Sequence, residues 1–138
     1  MKYRFVRDKT IYVVGLYPSP ETDDGNRDFM WNTYLALSWT YDCNVVLARD
    51  PKEVINLRAL PQIGVEQKTA YTIPLQDFEH PETAVYYVGN SQHSHPSYWA
   101  KTDRAVHIDV PALEHPLYGC QAASIVLNDR YIKNGAGI

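Results

Sequence analysis

The stretch that most narrows the fold is residues 86–130, where apolar segments alternate with short polar loops and almost no spare residues remain between them. One segment breaks at Val88-Gly89-Asn90-Ser91, and a second runs through Val106-His107-Ile108-Asp109-Val110-Pro111. Pro116-Leu117-Tyr118-Gly119-Cys120-Gln121 then opens a helix continuing through Ala122-Ala123-Ser124-Ile125-Val126-Leu127. Strand, loop, strand, loop and helix in such close order predict parallel strands with ligand-binding loops at their carboxyl ends, where backbone and helix amino termini converge.

The remainder of the chain has the same rhythm. Thr10-Ile11-Tyr12-Val13-Val14-Gly15-Leu16 is a continuous apolar and β-branched run, the pattern of a strand buried on both faces. Turn formers and cap residues fill 18–26, after which Phe29, Met30, Thr33 and Leu37 recur at helical spacing and predict a helix over 27–40. Further strands are predicted at 44–48, 68–73, 84–88 and 106–111, with a short helix beginning at Pro51. Alternation of this kind predicts an α/β domain with a mostly parallel sheet and helices on both faces.

At 138 residues the chain reads as one domain, with a basic segment over 1–9 and a flexible tail over 132–138. No apolar run approaches the roughly 18 residues that span a bilayer, and the first residues lack a signal-peptide core, so a cytoplasmic protein without membrane contact is expected. Cys43 and Cys120 each adjoin apolar residues and read as reduced, packed thiols. A net charge of -3 argues against coating of nucleic acid by bulk electrostatics, and no DNA partner is expected. Lys2, Arg4, Arg7 and Lys9 nevertheless form a local basic patch, open to two readings: a solvated terminus or a phosphate-contacting strip.

Several chemistries lack their signatures. Gly15 and Gly25 stand alone, so neither the Gly-x-Gly-x-x-Gly dinucleotide loop nor a Gly-x-x-x-x-Gly-Lys phosphate loop is present. His93, His95, His107 and His115 show no ligand spacing with Asp103 or Asp109, and no metal site is expected. Gly89-Asn90-Ser91-Gln92-His93 follows a strand but lacks the closing glycine of a hydrolase nucleophile elbow. Trp31, Trp39 and Trp99 read as core or subunit contacts, with a base-stacking face as the alternative.

Gly89-Asn90 after a strand, Ile108-Asp109-Val110-Pro111 ending the next, and Leu117 leading through Ala122-Ala123-Ser124-Ile125-Val126-Leu127 resemble the SpoU/TrmH branch of the SPOUT methyltransferases. Leu16-Tyr17-Pro18 followed by Asp23-Asp24-Gly25-Asn26 and a helix is similar to that family's first motif. The resemblance implies an α/β sheet with a carboxyl-terminal trefoil knot, a homodimer, and S-adenosylmethionine bound bent in the knot. It further implies methylation of a ribose 2′-hydroxyl in tRNA or rRNA. Cofactor contacts, mostly through main chain, would then fall on Tyr71 and Thr72, on Gly89 and Asn90, and on Ile108, Val110 and Leu117.

Departures from the family fall on polar side chains. Where the first helix of the family carries an arginine, this chain has Phe29 or Asn32, with Arg27 one to two turns earlier. The family's Gly-x-Glu becomes Gly89-Asn90-Ser91, and its Ser-Leu-Asn becomes Pro116-Leu117-Tyr118. Two functions follow from the resemblance. One is a methyltransferase in which Arg27, Asn32, Ser91 or Tyr118 supplies the missing groups. The other is a catalytically inactive homodimer that binds cofactor, RNA or protein.

Overall fold

The structure, a computed structural model, describes residues 10–17, 24–89, 104–111 and 116–135. Its strands are β1 (Ile11–Leu16), β2 (Asn44–Ala48), β3 (Gln62–Val65), β4 (Ile73–Pro74), β5 (Ala84–Val88) and β6 (Arg104–His107). Helix α1 spans Asp24–Thr40 and α2 spans Gly119–Asn134, with 3-10 helices at Pro51–Ala59 and Leu75–Asp77. The strands form one sheet in the order β2-β1-β5-β3-β6-β4, and every pairing among the described residues is parallel.

Side chains alternate across this sheet as the strand period requires. Val13, Ile63, Val65, Tyr86, Val88 and Val106 pack on one face against Tyr34 and Leu37 of α1 and Ala123, Val126 and Leu127 of α2. Val14, Val85 and Tyr87 point the other way, onto Val54 and Leu57 of the 3-10 helix. Val13 and Val14 are neighbours with no exposed surface, so β1 is covered on both faces, as its unbroken apolar run predicts.

Two strands differ from the sequence reading. The third is not 68–73 but β3, four buried residues between β5 and β6. Gln62 and Gly64 disguise it in the sequence. The Gln62 amide is nonetheless satisfied inside: Nε2 donates to the carbonyls of Leu57 at 2.8 Å and Leu60 at 2.7 Å, and the Tyr87 hydroxyl donates to Oε1. Of 68–73 only Ile73 joins the sheet. Thr69 and Thr72 instead tie a turn, in which the Thr69 amide donates to Thr72 Oγ1 at 2.9 Å and the Tyr71 amide to Thr69 Oγ1 at 3.1 Å. Such local bonds compete with a strand ladder and here prevail. The last strand likewise ends at His107, well short of 111.

Helix α2 is fastened to the sheet by buried polar contacts and runs through Asn134, past the expected start of the tail at 132. Arg130 donates to the Pro81 carbonyl at 2.6 Å, the Glu82 carbonyl at 2.5 Å and the Tyr86 hydroxyl at 2.9 Å. His80 sits 2.7 Å from both Tyr86 Oη and Asp129 Oδ2 through its two ring nitrogens. Lys133 Nζ donates to the carbonyls of Leu75, Gln76 and Phe78. These contacts tie the carboxyl half of α2 to β5 and the segment before it, while its first residue, Gly119, lies against Gly89 after β5.

Lys2, Arg4, Arg7, Lys9, Asn90, Ser91, His93, His95, Trp99, Asp103, His115 and residues 136–138 lie outside the described residues.

Candidate ligand cavity at the strand carboxyl ends

A cavity of about 450 Å³ opens where β3, β5 and β6 end. Val65, Glu66, Gln67 and Lys68 supply one wall, Val88 and Gly89 the second, and Ile108, Asp109 and Val110 the third. Pro116, Leu117, Gly119 and Ala122 close it with the first turn of α2. Its size falls within the roughly 300–1,000 Å³ of small-molecule sites.

Backbone makes the tightest joint of this cavity. A Cβ on Gly119 would stand 2.0 Å from the Gly89 carbonyl oxygen and 3.1 Å from the Tyr34 hydroxyl, so only glycine lets the start of α2 reach the loop after β5. Gly15 does the same below, since a Cβ there would meet the Tyr34 hydroxyl at 2.7 Å. Tyr34 is thereby sandwiched, and burial pushes its phenol well above the usual range. At the start of α2 the Tyr118 amide donates to Gln121 Oε1 at 2.9 Å, satisfying one donor of the helix terminus.

The third wall is polar. Asp109 Oδ1 accepts from His107 Nε2 at 3.1 Å and Oδ2 from Gln76 Nε2 at 3.1 Å. The bond from Gln76 foremost, then that from His107 and the nearby Lys68 charge, hold this carboxyl below the ordinary range. His107 is buried, and its Nδ1 lies 2.8 Å from Thr72 Oγ1.

Gly89, Ile108, Val110 and Leu117, marked in the sequence, converge on this cavity. Tyr71 is 91% exposed and neither it nor Thr72 lines the space. The displacement follows from the third strand: the loop leaving its carboxyl end is Glu66, Gln67 and Lys68, and those residues form the wall. Arg27, Asn32 and Tyr118 are also absent from the lining. Asn32 is exposed on α1, Arg27 is half-buried there, and Tyr118 packs its ring edge against Phe29 with centroids 5.7 Å apart. Glu66, Lys68, Asp109 and Gly119 went unmarked as site residues in the sequence; the signal for the first two is the polar break directly after the apolar Ile63-Gly64-Val65. Among the described residues no three His, Cys, Asp or Glu side chains converge as a metal site, and no helix is long and apolar enough to cross a membrane.

A parallel sheet in this order, with helices packed on it and its cavity at the carboxyl ends, has the α/β architecture of the SpoU fold. The chain is similar to the solved structure of the A. aeolicus TrmH/SpoU tRNA modifying enzyme, with a TM-score of 0.62 and 12% identity over 95% of this chain and 80% of that one. At that identity the likeness establishes a shared fold. No family model matches the chain, and no curated protein matches it.

Proposed function

We propose that the protein is an S-adenosylmethionine-dependent RNA methyltransferase of the SpoU/TrmH kind, acting on a ribose 2′-hydroxyl of tRNA or rRNA. The observation that carries the reading is the meeting of the loops after β3, β5 and β6 with the start of α2 around one cavity, joined by the contact of Gly89 with Gly119. That cavity fits the cofactor in volume and in its supply of main-chain groups. Gly89, Ile108, Val110 and Leu117, together with Glu66, Gln67 and Lys68, would hold it, with Asn90 added from the sequence pattern. When bound, S-adenosylmethionine supplies an activated methyl group. In this reading the carboxyl-terminal segment is threaded as a trefoil knot, and two copies pair.

The protein's own task is to fix the attacking hydroxyl and manage its proton. Arg27 and Asn32 on α1, Tyr118 at the start of α2, and Ser91 in the sequence following Gly89 are the groups proposed for it. A tRNA substrate is supported by the A. aeolicus enzyme of the same fold, which modifies tRNA. Incubation with methyl-labelled S-adenosylmethionine and total tRNA or rRNA, followed by nuclease digestion, is expected to yield a labelled 2′-O-methylnucleoside. Absence of label in both RNA pools overturns the reading.

Two observations favour the second reading, an inactive homodimer that binds cofactor, RNA or protein. Arg27, Asn32 and Tyr118 do not line the cavity. Phe29, Trp31 and Trp39 of α1 and Ile125, Tyr131 and Ile132 of α2 also present apolar surface outward. Cofactor binding without turnover on any RNA is the outcome that reading expects.

A further inference from the structure

The cavity wall after β6 holds a carboxylate locked in place from two directions. Asp109 Oδ1 is held by His107 and Oδ2 by Gln76, although the side chain remains 52% exposed. A carboxylate oxygen has two acceptor directions, so each oxygen retains one for a ligand.

Its support reaches into the core. His107 is 2% exposed, and its far nitrogen meets Thr72 Oγ1, which in turn accepts from the Thr69 amide at 2.9 Å. Two proton arrangements satisfy this chain. If the Thr72 hydroxyl donates to Nδ1, a neutral ring donates through Nε2 to Asp109. If it donates to the Thr69 carbonyl at 3.0 Å instead, the ring donates through both nitrogens as an imidazolium. Asp109 is an acceptor in both.

Lys68 lies in the loop after β3, the strand paired with β6, lines the same cavity, and makes no ion pair among the described residues. Its charge nonetheless acts on Asp109. The cavity thus offers an anion held by two hydrogen bonds and, from the neighbouring loop, an exposed cation.

We infer that Asp109 and Lys68 read the amino-acid end of the ligand, Asp109 taking an α-ammonium and Lys68 the α-carboxylate. His107 acts as a positioning residue that aims the Asp109 carboxylate. The inference rests on the cofactor reading above and deepens it. It assigns side chains to the recognition of one end of a ligand whose remainder would be held by main chain.

Three ligands separate the possibilities. S-adenosylmethionine and S-adenosylhomocysteine both carry the amino-acid end, and 5′-methylthioadenosine lacks it. Titration calorimetry on the full chain is expected to show that Asp109→Asn and Lys68→Met each weaken the first two by about tenfold or more, the scale of one charge-assisted hydrogen bond. Both variants are expected to bind methylthioadenosine within about twofold of the original protein, on the premise that a neutral adenosine group makes no such bond. That retained binding also shows that the variants fold. Unchanged affinity for all three ligands, or equal loss of all three, overturns the inference. So does weakening of S-adenosylmethionine alone, which would place the sulfonium rather than the ammonium at Asp109. If the unaltered protein binds none of the three, the cofactor reading falls with it, whereas binding without the selective loss sinks the inference by itself.

Discussion

The Gly89 carbonyl oxygen lies only 2.0 Å from where a Cβ on Gly119 would stand, so the loop after β5 and the first residue of α2 touch backbone to backbone. Neither side of that contact is a flexible side chain that could swing away. Gly119→Ala must therefore push the loop and helix apart. It is expected to cost about 1–3 kcal/mol, the range for overpacking a close-packed interior, and to weaken S-adenosylmethionine binding by moving a cavity wall. Denaturant melts and a ligand titration check the two effects. Unchanged stability would mean that the two glycines do not meet.

Tyr34 couples a second glycine to the same place. An added methyl at Gly15 would clash with the Tyr34 hydroxyl at 2.7 Å and press Leu47 Cδ2 at 3.1 Å. Gly15→Ala is expected to destabilise, and adding Tyr34→Phe is expected to recover part of the loss by removing the nearest atom. A double-mutant cycle should give a coupling of about 0.5–3 kcal/mol, as for residues in contact. Strict additivity would contradict the arrangement.

Gln62 is a central-strand residue whose amide depends on a partner. Tyr87→Phe removes the hydroxyl that donates to Oε1 of the buried Gln62 amide. A loss of about 1–3 kcal/mol is expected from urea melts. Tyr87→Phe combined with Gln62→Leu removes both partners and should cost less than the sum of the single changes, although the Gln62 bonds to Leu57 and Leu60 are lost as well.

His80 gives stability a pH dependence. Burial lowers its affinity for a proton, an effect that the Asp129 carboxylate opposes without cancelling, while Arg130 and Lys133 act with burial. The folded state therefore binds this proton less readily than the unfolded chain. Its contribution is fully present above the unfolded value near 6.5 and is lost as pH falls below it toward the lower folded value. The melting temperature should drop between pH 7.5 and 5, and His80→Gln should flatten that slope. An equal slope in the variant would assign the acid sensitivity to other groups.

Much of the sheet is written in its β-branched runs. Residues Val13-Val14 and Ala84 to Val88 are apolar on successive positions, and only a strand covered on both faces accommodates that. β3 was concealed because a glutamine and a glycine interrupt four short residues, and the amide that looks solvent-bound is satisfied by two carbonyls and a tyrosine. Thr69 and Tyr71 have strong strand propensity, yet threonine side chains captured the backbone amides and closed a turn. That one displacement is why Glu66, Gln67 and Lys68, rather than Tyr71 and Thr72, line the cavity.

The cavity was legible to a similar degree. Gly89 and Ile108 follow strands and Leu117 precedes a helix, the places where open parallel sheets form their crevices, and all three line the cavity. Gly119 could not be read in the same way, because its meaning lies in a carbonyl thirty residues away in sequence. Asp109 needed His107 and Gln76 to become a fixed acceptor, and Gln76 reaches it from a separate element.

A crystal structure grown with S-adenosylmethionine tests the central claim most directly. The account expects cofactor density between the loops after β3, β5 and β6, against Gly89, Ile108 and Leu117. Density in the cleft beside His80 and Arg130 at the opposite end of the sheet, or a cavity that stays vacant at saturating cofactor, would contradict it.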